Sequence, residues 1–275
     1  MNRETILNVR DEVPFLTFQS LSQIDFIKHG FSTKLGGVSS GHLSSMNLSF
    51  TRGDQVDCVY ENYRRICGAL QVSTENLVFS DQVHDTKIHV VTEIDRAGYD
   101  LEHKKLIGID GLITNVPGLV LATSYADCVP LYFIDTKQKA IGLTHSGWRG
   151  TVGKIGAFTV KAMEETYGSN PNDIIALIGP SICKDCYEVS QDVADQFRSA
   201  FSKEEAALIL EDKKNEKFQL NLWNANHIIL NEAGIPEEQI HCSDVCTCCN
   251  HELLYSHRFT NGKRGNLSAF LSLNE

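Results

Sequence analysis

The sequence contains no apolar run near the 18 or so residues that a membrane-spanning helix needs, so no partner membrane is expected. It holds only six prolines, and they are scattered. No proline- or serine-rich linker, internal repeat or low-complexity tract divides the chain, so residues 1–275 read as one domain. Basic residues are in deficit: 25 Lys and Arg stand against 35 Asp and Glu, a formal net charge of −10. That balance excludes the broad basic footprint of a nucleic-acid binder, yet leaves room for a local pocket for a small anion. The start, Met1-Asn2-Arg3-Glu4-Thr5, lacks a basic stretch followed by an apolar run, so no secretory leader is expected.

What the sequence does have is cysteine, nine residues in all. A secreted disulfide scaffold is short and usually carries an even number. A long chain with an odd count and no leader reads instead as a cytoplasmic protein whose thiols are mostly free. Two Cys-x-x-Cys pairs are present, Cys183/Cys186 and Cys246/Cys249. With 59 residues between them they fall outside zinc-ribbon spacing, so no second metal site is expected from them.

Apolar residues at Val56, Val59, Tyr60, Tyr63, Ile66, Cys67 and Leu70 predict a helix over 56–70, with Asp54 as its N-cap and Cys67 in the core. Short β-branched runs predict strands at Leu77–Phe79, Ile88–Val91, Gly111–Thr114, Val120–Thr123, Leu131–Ile134 and Ala140–Thr144. A helix is expected at 152–167, a strand at 174–178, helices at 190–201 and 221–233, and strand pieces at 240–242 and 253–256. Strands grouped before helices indicate an α/β (α+β) fold, layered rather than doubly wound. The Gly- and Ser-rich stretch 30–53 reads as a long ordered loop, a feature that is often functional.

Three segments place a metal-ligating or nucleophilic residue where an apolar strand stops: Gln82-Val83-His84, Ala126-Asp127-Cys128-Val129-Pro130 and His145-Ser146-Gly147-Trp148-Arg149-Gly150. Such a set has two chemical uses. Three protein ligands with an open fourth position make a catalytic zinc site. A cysteine beside a histidine makes a nucleophile–base pair.

In order and spacing these segments resemble the YfiH-like proteins, the multicopper polyphenol oxidase (laccase) family that also carries the purine nucleoside phosphorylase name. Further matching segments are His29-Gly30-Phe31-Ser32-Thr33 with Gly36-Gly37-Val38-Ser39, Met46-Asn47-Leu48-Ser49, Glu61-Asn62-Tyr63-Arg64, Asp110-Gly111-Leu112 and Gly179-Pro180-Ser181-Ile182. Tyr187-Glu188-Val189, Cys246-Thr247 and Ser256-His257-Arg258 complete the set, so the likeness runs from about residue 29 to 258. The tail departs from the usual Gly-Arg pair, reading Gly262-Lys263-Arg264-Gly265.

The resemblance implies a four-layer α/β/β/α sandwich related to a bacterial toxin deamidase fold. It implies zinc on His84, Cys128 and His145. It also implies phosphorolysis of adenosine, inosine and methylthioadenosine, with deamination of adenosine. Deamination needs an activated water, which zinc supplies, and a carboxylate to move its proton; Asp127, next to Cys128, is the candidate. Phosphorolysis needs an anion site. Arg64, Arg149 and Arg258 are the candidates, with the Gly36-Gly37 amides, because an arginine fork binds two phosphate oxygens at once. Ser39, Ser40 and Asn47 are candidates for ribose or phosphate, or for turn-forming bonds to their own backbone. Trp148 and Phe31 could stack on a purine or pack in the core.

Three other readings compete. A copper polyphenol oxidase needs more histidine, typically His-x-His pairs, and usually an axial methionine. Here ten histidines include no His-x-His, and the methionines are Met1, Met46 and Met163. A single copper on the same three ligands remains the chemical alternative to zinc. A cysteine hydrolase would use Cys128 as nucleophile and His145 as base. A non-enzymatic role in quality control of cell-wall precursors is the third. The expected partners are purine nucleosides and phosphate, and the chain is compatible with a monomer or a homodimer.

Overall fold

The computed structural model describes residues 4–103 and 105–274; Met1–Arg3, where the leader was sought, lie outside the described residues. Two sheets face each other. Across the first the strand order is Thr5–Arg10, Val13–Phe18, Ile27–Ser32, Leu267–Leu273, Val120–Tyr125, Leu77–Asp81 and Leu106–Ile107. Across the second it is Ile240–Cys242, Ile174–Ile178, Val129–Asp135, Ala140–Ser146, Gly111–Thr114 and Ile88–Val90. A small third sheet joins Glu188–Ser190, Lys217–Leu220 and Leu210–Asp212.

Side-chain alternation explains the layering. In the first sheet Leu77, Phe79, Val120, Ala122 and Phe270 point to the helix Val56–Leu70, meeting Val59, Tyr63 and Ile66. Their neighbours Val78, Leu121, Ala269 and Leu271 point the other way, onto Tyr132, Ile134, Ile141 and Leu143 of the second sheet. The second sheet's far side, with Val129, Leu131 and Phe133, is covered by the helices Ile155–Tyr167 and Leu222–Glu232 through Val160, Met163, Ile229 and Leu230. The result is the expected α/β/β/α order. Central strands such as Val129–Asp135 are buried on both faces, which is why they are rich in apolar residues without a strict alternation.

Several expectations are corrected. The helix foreseen at 152–167 is two, Trp148–Val152 and Ile155–Tyr167, broken at Lys154, whose φ is 58°. At Gly153, beside the break, a Cβ would lie 2.6 Å from Thr86 Cγ2, so the bend serves a close approach to the 82–87 loop. Residues 253–256 form no strand; Ser256 caps the short helix His257–Thr260 through Phe259 N–H. The N-cap of Val56–Leu70 is Gln55, while Asp54 binds Ser39 and Asn47 instead. The hairpin Thr5–Phe18 and the central strand Leu267–Leu273 had no counterpart in the sequence reading. Cys67 is buried in the helix–sheet core as expected, and burial pushes its thiol up to about 12.

His29 shows how tightly the first sheet holds a neutral ring. Its Nε2 accepts the Phe18 N–H at 2.9 Å, and the Phe18 ring stacks on it with centroids 5.7 Å apart. Burial is the main cause and lowers its pKa to about 4. The folded state therefore binds fewer protons than the unfolded chain between that value and 6.5. Stability is intact above this window and is lost as pH falls through it. Between pH 7 and pH 5 the expected loss is about 2 kcal/mol. Urea unfolding at the two pH values checks this: His29→Gln is expected to show a smaller pH dependence than wild type, and equal slopes would refute the assignment.

Candidate metal centre

Three chain crossings from one sheet to the other build the site. They are the loop 82–87, the turn 108–110 and the turn 126–128. His84 lies in the first, Asp110 in the second and Cys128 in the third, while His145 stands near the end of the strand Ala140–Ser146. The ligand atoms of His84, Cys128 and His145 all lie within 4.8 Å of one another. Cys128 Sγ is 3.8 Å from His84 Nε2, and the two imidazoles meet edge to face at 4.7 Å between centroids. His145 is buried and His84 exposed, so the cluster opens to solvent on the His84 side. His84 and Asp127 both adopt left-handed backbone, with φ of 64° and 88°, an uncommon conformation for non-glycine residues.

Asp110, fully buried, organises two of the three ligands. One oxygen accepts from His145 Nδ1 at 2.8 Å and from the His84 N–H at 3.0 Å. The other accepts the N–H groups of Val83 and Asp85 at 3.1 and 2.9 Å. A carboxylate only accepts, so Nδ1 of His145 carries a proton and Nε2 is the nitrogen turned to the site. Burial opposes the Asp110 charge, but hydrogen bonds from His145 and the loop amides outweigh it and hold the carboxyl below its usual range. Gln82 ties the same loop down, exchanging two hydrogen bonds with the backbone of Ser124 at 2.7 and 3.0 Å.

Burial also works against a Cys128 thiolate. The charge of His145 and hydrogen bonds to His145 and His84 overcome it and bring the thiol down to about 6. His145 moves the opposite way: burial favours the neutral ring, yet Cys128 and Asp110 raise it to about 9. These two shifts describe a thiolate–imidazolium pair; loss of the His145 Nε2 proton to an incoming ion leaves a thiolate and two imidazoles, a donor set suited to zinc. Gly147 lets the backbone approach two of these ligands closely, since a Cβ there would come within 2.7 Å of His84 Cδ2 and 3.2 Å of Cys128 Sγ. The residues present therefore fit a bound metal ion.

The other sequence candidates fall in different places. Asp127 is buried beside Cys128; its oxygens accept from Thr247 Oγ1 at 2.6 Å and from Arg258 N–H at 2.7 Å. Arg258 spends its guanidinium on the carbonyls of Cys186 and Glu188. Arg149 is exposed and lies 4.3 Å over the Trp148 ring. Arg64 is exposed on its helix and pairs with Glu61 through two hydrogen bonds. Ser39 and Asn47 are buried in a network with Asp54, Asn62 and Asn266, which engages their side chains internally. The Gly37 and Val38 amides donate to Ser45 Oγ and Asn62 Oδ1, so this loop does not present them to an anion. Ser40 is exposed, and Phe31 is wholly buried against Tyr125.

Sequence reasoning overlooked a second cationic group. Arg264 is 7% exposed, its Nε has no hydrogen-bond partner, and its Nη1 binds Asn266 Oδ1. Arg52 reaches the same Asn266 oxygen at 3.3 Å, and Arg264 Nη2 lies 3.5 Å from His257 Nδ1. Burial and then the neighbouring Arg52 lower Arg264 to about 10, against the charges of Asp127 and Cys128. Two guanidinium groups thus meet at one amide oxygen, and one of them keeps a buried donor without a partner. The departure from the Gly-Arg spacing had obscured Arg264.

Residues 28–274 match the family described as multi-copper polyphenol oxidoreductase laccase. The chain is 39% identical to purine nucleoside phosphorylase YlmD of Bacillus subtilis, over 90% of this chain and 88% of the relative. It is 33% identical to adenosine deaminase RL5 from an unknown prokaryotic organism, over 86% and 93% of the two chains. The crystal structure of YlmD from Geobacillus stearothermophilus superposes with a TM-score of 0.91 at 33% identity, covering 98% of this chain and all of that one. The sheets, the crossing turns and the His–Cys–His cluster thus sit in a chain that belongs to the multi-copper polyphenol oxidoreductase laccase family.

Proposed function

We propose that this chain is a cytoplasmic, single-domain, zinc-dependent purine nucleoside phosphorylase that also deaminates adenosine. Adenosine, inosine and methylthioadenosine are the proposed nucleosides, and phosphate the second substrate. The observation that carries the reading is the convergence of His84, Cys128 and His145 under the control of buried Asp110. It is supported by relatives named purine nucleoside phosphorylase and adenosine deaminase. Bound at these residues, zinc supplies Lewis acidity and lowers the pKa of water.

The chain's own groups account for the remaining requirements. Arg264 and Arg52 hold the phosphate, and Arg264, a donor only, keeps His257 Nδ1 as acceptor so that Nε2–H points onward. In phosphorolysis a phosphate oxygen bonds to C1′ while the bond from C1′ to the base nitrogen breaks, and the base leaves with a proton. In deamination the C6 amino group is exchanged for the oxygen of water and ammonia departs. Asp127, adjacent in sequence to Cys128 and anchored by Thr247 and Arg258, remains the proposed proton carrier.

Incubation of metal-quantified protein with adenosine and phosphate tests the reading. Adenine with ribose 1-phosphate, together with some inosine, is expected; no product from any of the three nucleosides would overturn it. Arg264→Gln is expected to raise the KM for phosphate about ten- to a hundredfold, the worth of one charge-assisted contact, with zinc content unchanged. An unaltered phosphate KM would place the anion elsewhere.

Copper oxidase chemistry is disfavoured by the surroundings. Met46 and Met163 are fully buried in the two outer helix–sheet cores. Among the described residues the metal-capable groups are this trio and one all-cysteine cluster, so no further histidine cluster converges. A second reading has one observation in its favour. Asp110, His145 and the lowered Cys128 thiol also form an acid–imidazole–thiol chain suited to a cysteine hydrolase. A chelator separates them, since it stops a zinc enzyme and spares a thiol hydrolase.

A further inference from the structure

The sequence spacing argued against joining the two Cys-x-x-Cys pairs, yet the fold brings them together. The Sγ atoms of Cys183, Cys186, Cys246 and Cys249 all lie within 4.8 Å of one another. Cys186 and Cys183 approach Cys249 at 3.4 and 3.9 Å. Four thiolates around one zinc at about 2.3 Å stand about 3.8 Å apart at the corners of a tetrahedron, so the measured separations straddle that edge. A polynuclear iron–sulfur cluster interposes several atoms between its thiolates and needs them farther apart.

The local backbone is arranged for sulfur. Cys246 Sγ, buried, accepts the N–H groups of Cys183 at 3.2 Å and Cys249 at 3.4 Å. Each pair sits on a tight turn, closed by Cys186 N–H on the Cys183 carbonyl and Asn250 N–H on the Cys246 carbonyl. The two turns are stitched by Ser181 N–H on the Val245 carbonyl and Thr247 N–H on the Ser181 carbonyl. All nine thiols of the chain are free, and Cys183, Cys186 and Cys249 retain solvent exposure, so hydrophobic burial does not account for this grouping.

We propose that Cys183, Cys186, Cys246 and Cys249 form a second metal site, a closed tetrathiolate zinc centre separate from His84, Cys128 and His145. All four positions are filled by protein, so its role is structural. The turns it joins carry the partners of Asp127. Ile182 N–H donates to the Asp127 carbonyl, Thr247 Oγ1 donates to its carboxylate, and the Cys186 carbonyl receives the Arg258 guanidinium. The centre thereby braces the backbone that presents Cys128.

The test is made on protein purified under reducing conditions without added metal. Wild type is expected to carry two zinc ions per chain, Cys128→Ser one, and Cys183→Ser with Cys249→Ser one. In Cys128→Ser the four cysteines are intact, which keeps the test independent of how the double variant folds. There, cobalt substitution is expected to give intense thiolate-to-metal bands. Cys249, though exposed, should resist alkylation until the metal is stripped. Loss of all metal in Cys128→Ser, no thiolate bands in its cobalt form, or rapid alkylation of Cys249 would each overturn the proposal.

Discussion

Cys128→Ser is expected to lower kcat/KM for adenosine phosphorolysis at least ~10³-fold, equivalent to about 4 kcal/mol of transition-state stabilisation. The serine hydroxyl stays protonated at neutral pH and replaces a thiolate ligand with a weak neutral one. Two imidazoles alone then face the ion. His145 loses the neighbouring charge that raises it to about 9, so its pKa should fall. Zinc content should drop by one equivalent, read by elemental analysis beside the kinetics. The variant alone does not separate a metal centre from a thiol nucleophile, because both lose their sulfur. His84→Ala does. It removes a metal ligand but leaves Cys128, His145 and Asp110 in place, so a comparable loss supports the zinc centre. Retained turnover in His84→Ala, together with indifference to chelators, would transfer the chemistry to the thiol.

The layered core was legible because its strands are buried on both faces and its helices carry apolar stripes. Val56–Leu70 and Ala140–Ser146 are cases where local pattern and tertiary burial agree. The strand Leu267–Leu273 was not read, because Ser268 and Ser272 interrupt its apolar residues and its pairing partners lie more than a hundred residues away. The His–Cys–His cluster was legible through motif resemblance; periodicity alone would not have joined ligands set in separate sheet crossings. The arginines named for phosphate came from the matching segments and from guanidinium chemistry. Arg64 and Arg258 sit in matching segments, yet their guanidinium groups are engaged by Glu61 and by backbone carbonyls. Arg264, in the departing tail, keeps a buried unpaired donor. The paired Cys-x-x-Cys turns show the same limit, since a parallel bridge between Ser181 and Cys246, invisible in spacing, is what aligns them.

Asp110→Asn is the most demanding test of how the site is held. The native carboxylate accepts four hydrogen bonds and donates none, linking the His84 loop to the His145 ring. An asparagine of the same shape replaces one acceptor oxygen with an NH₂ group. In one orientation this group opposes His145 Nδ1–H and favours the tautomer that turns the lone pair away from the site. In the other it opposes the amides of Val83 and Asp85 and releases the loop. Either outcome leaves buried donors unsatisfied, at about 1–3 kcal/mol each. Weakened partners of metal-ligating histidines typically cost 10- to 100-fold in metal affinity or activity. Asp110→Asn is therefore expected to lose at least ~10²-fold in kcat/KM and to bind zinc more weakly at the His–Cys–His site, with a lower Tm. A structural role alone would lower Tm and leave the zinc dissociation constant of the folded protein unchanged. Asp110→Glu keeps the charge and should recover part of the zinc affinity. Wild-type affinity in folded Asp110→Asn would remove Asp110 from the site.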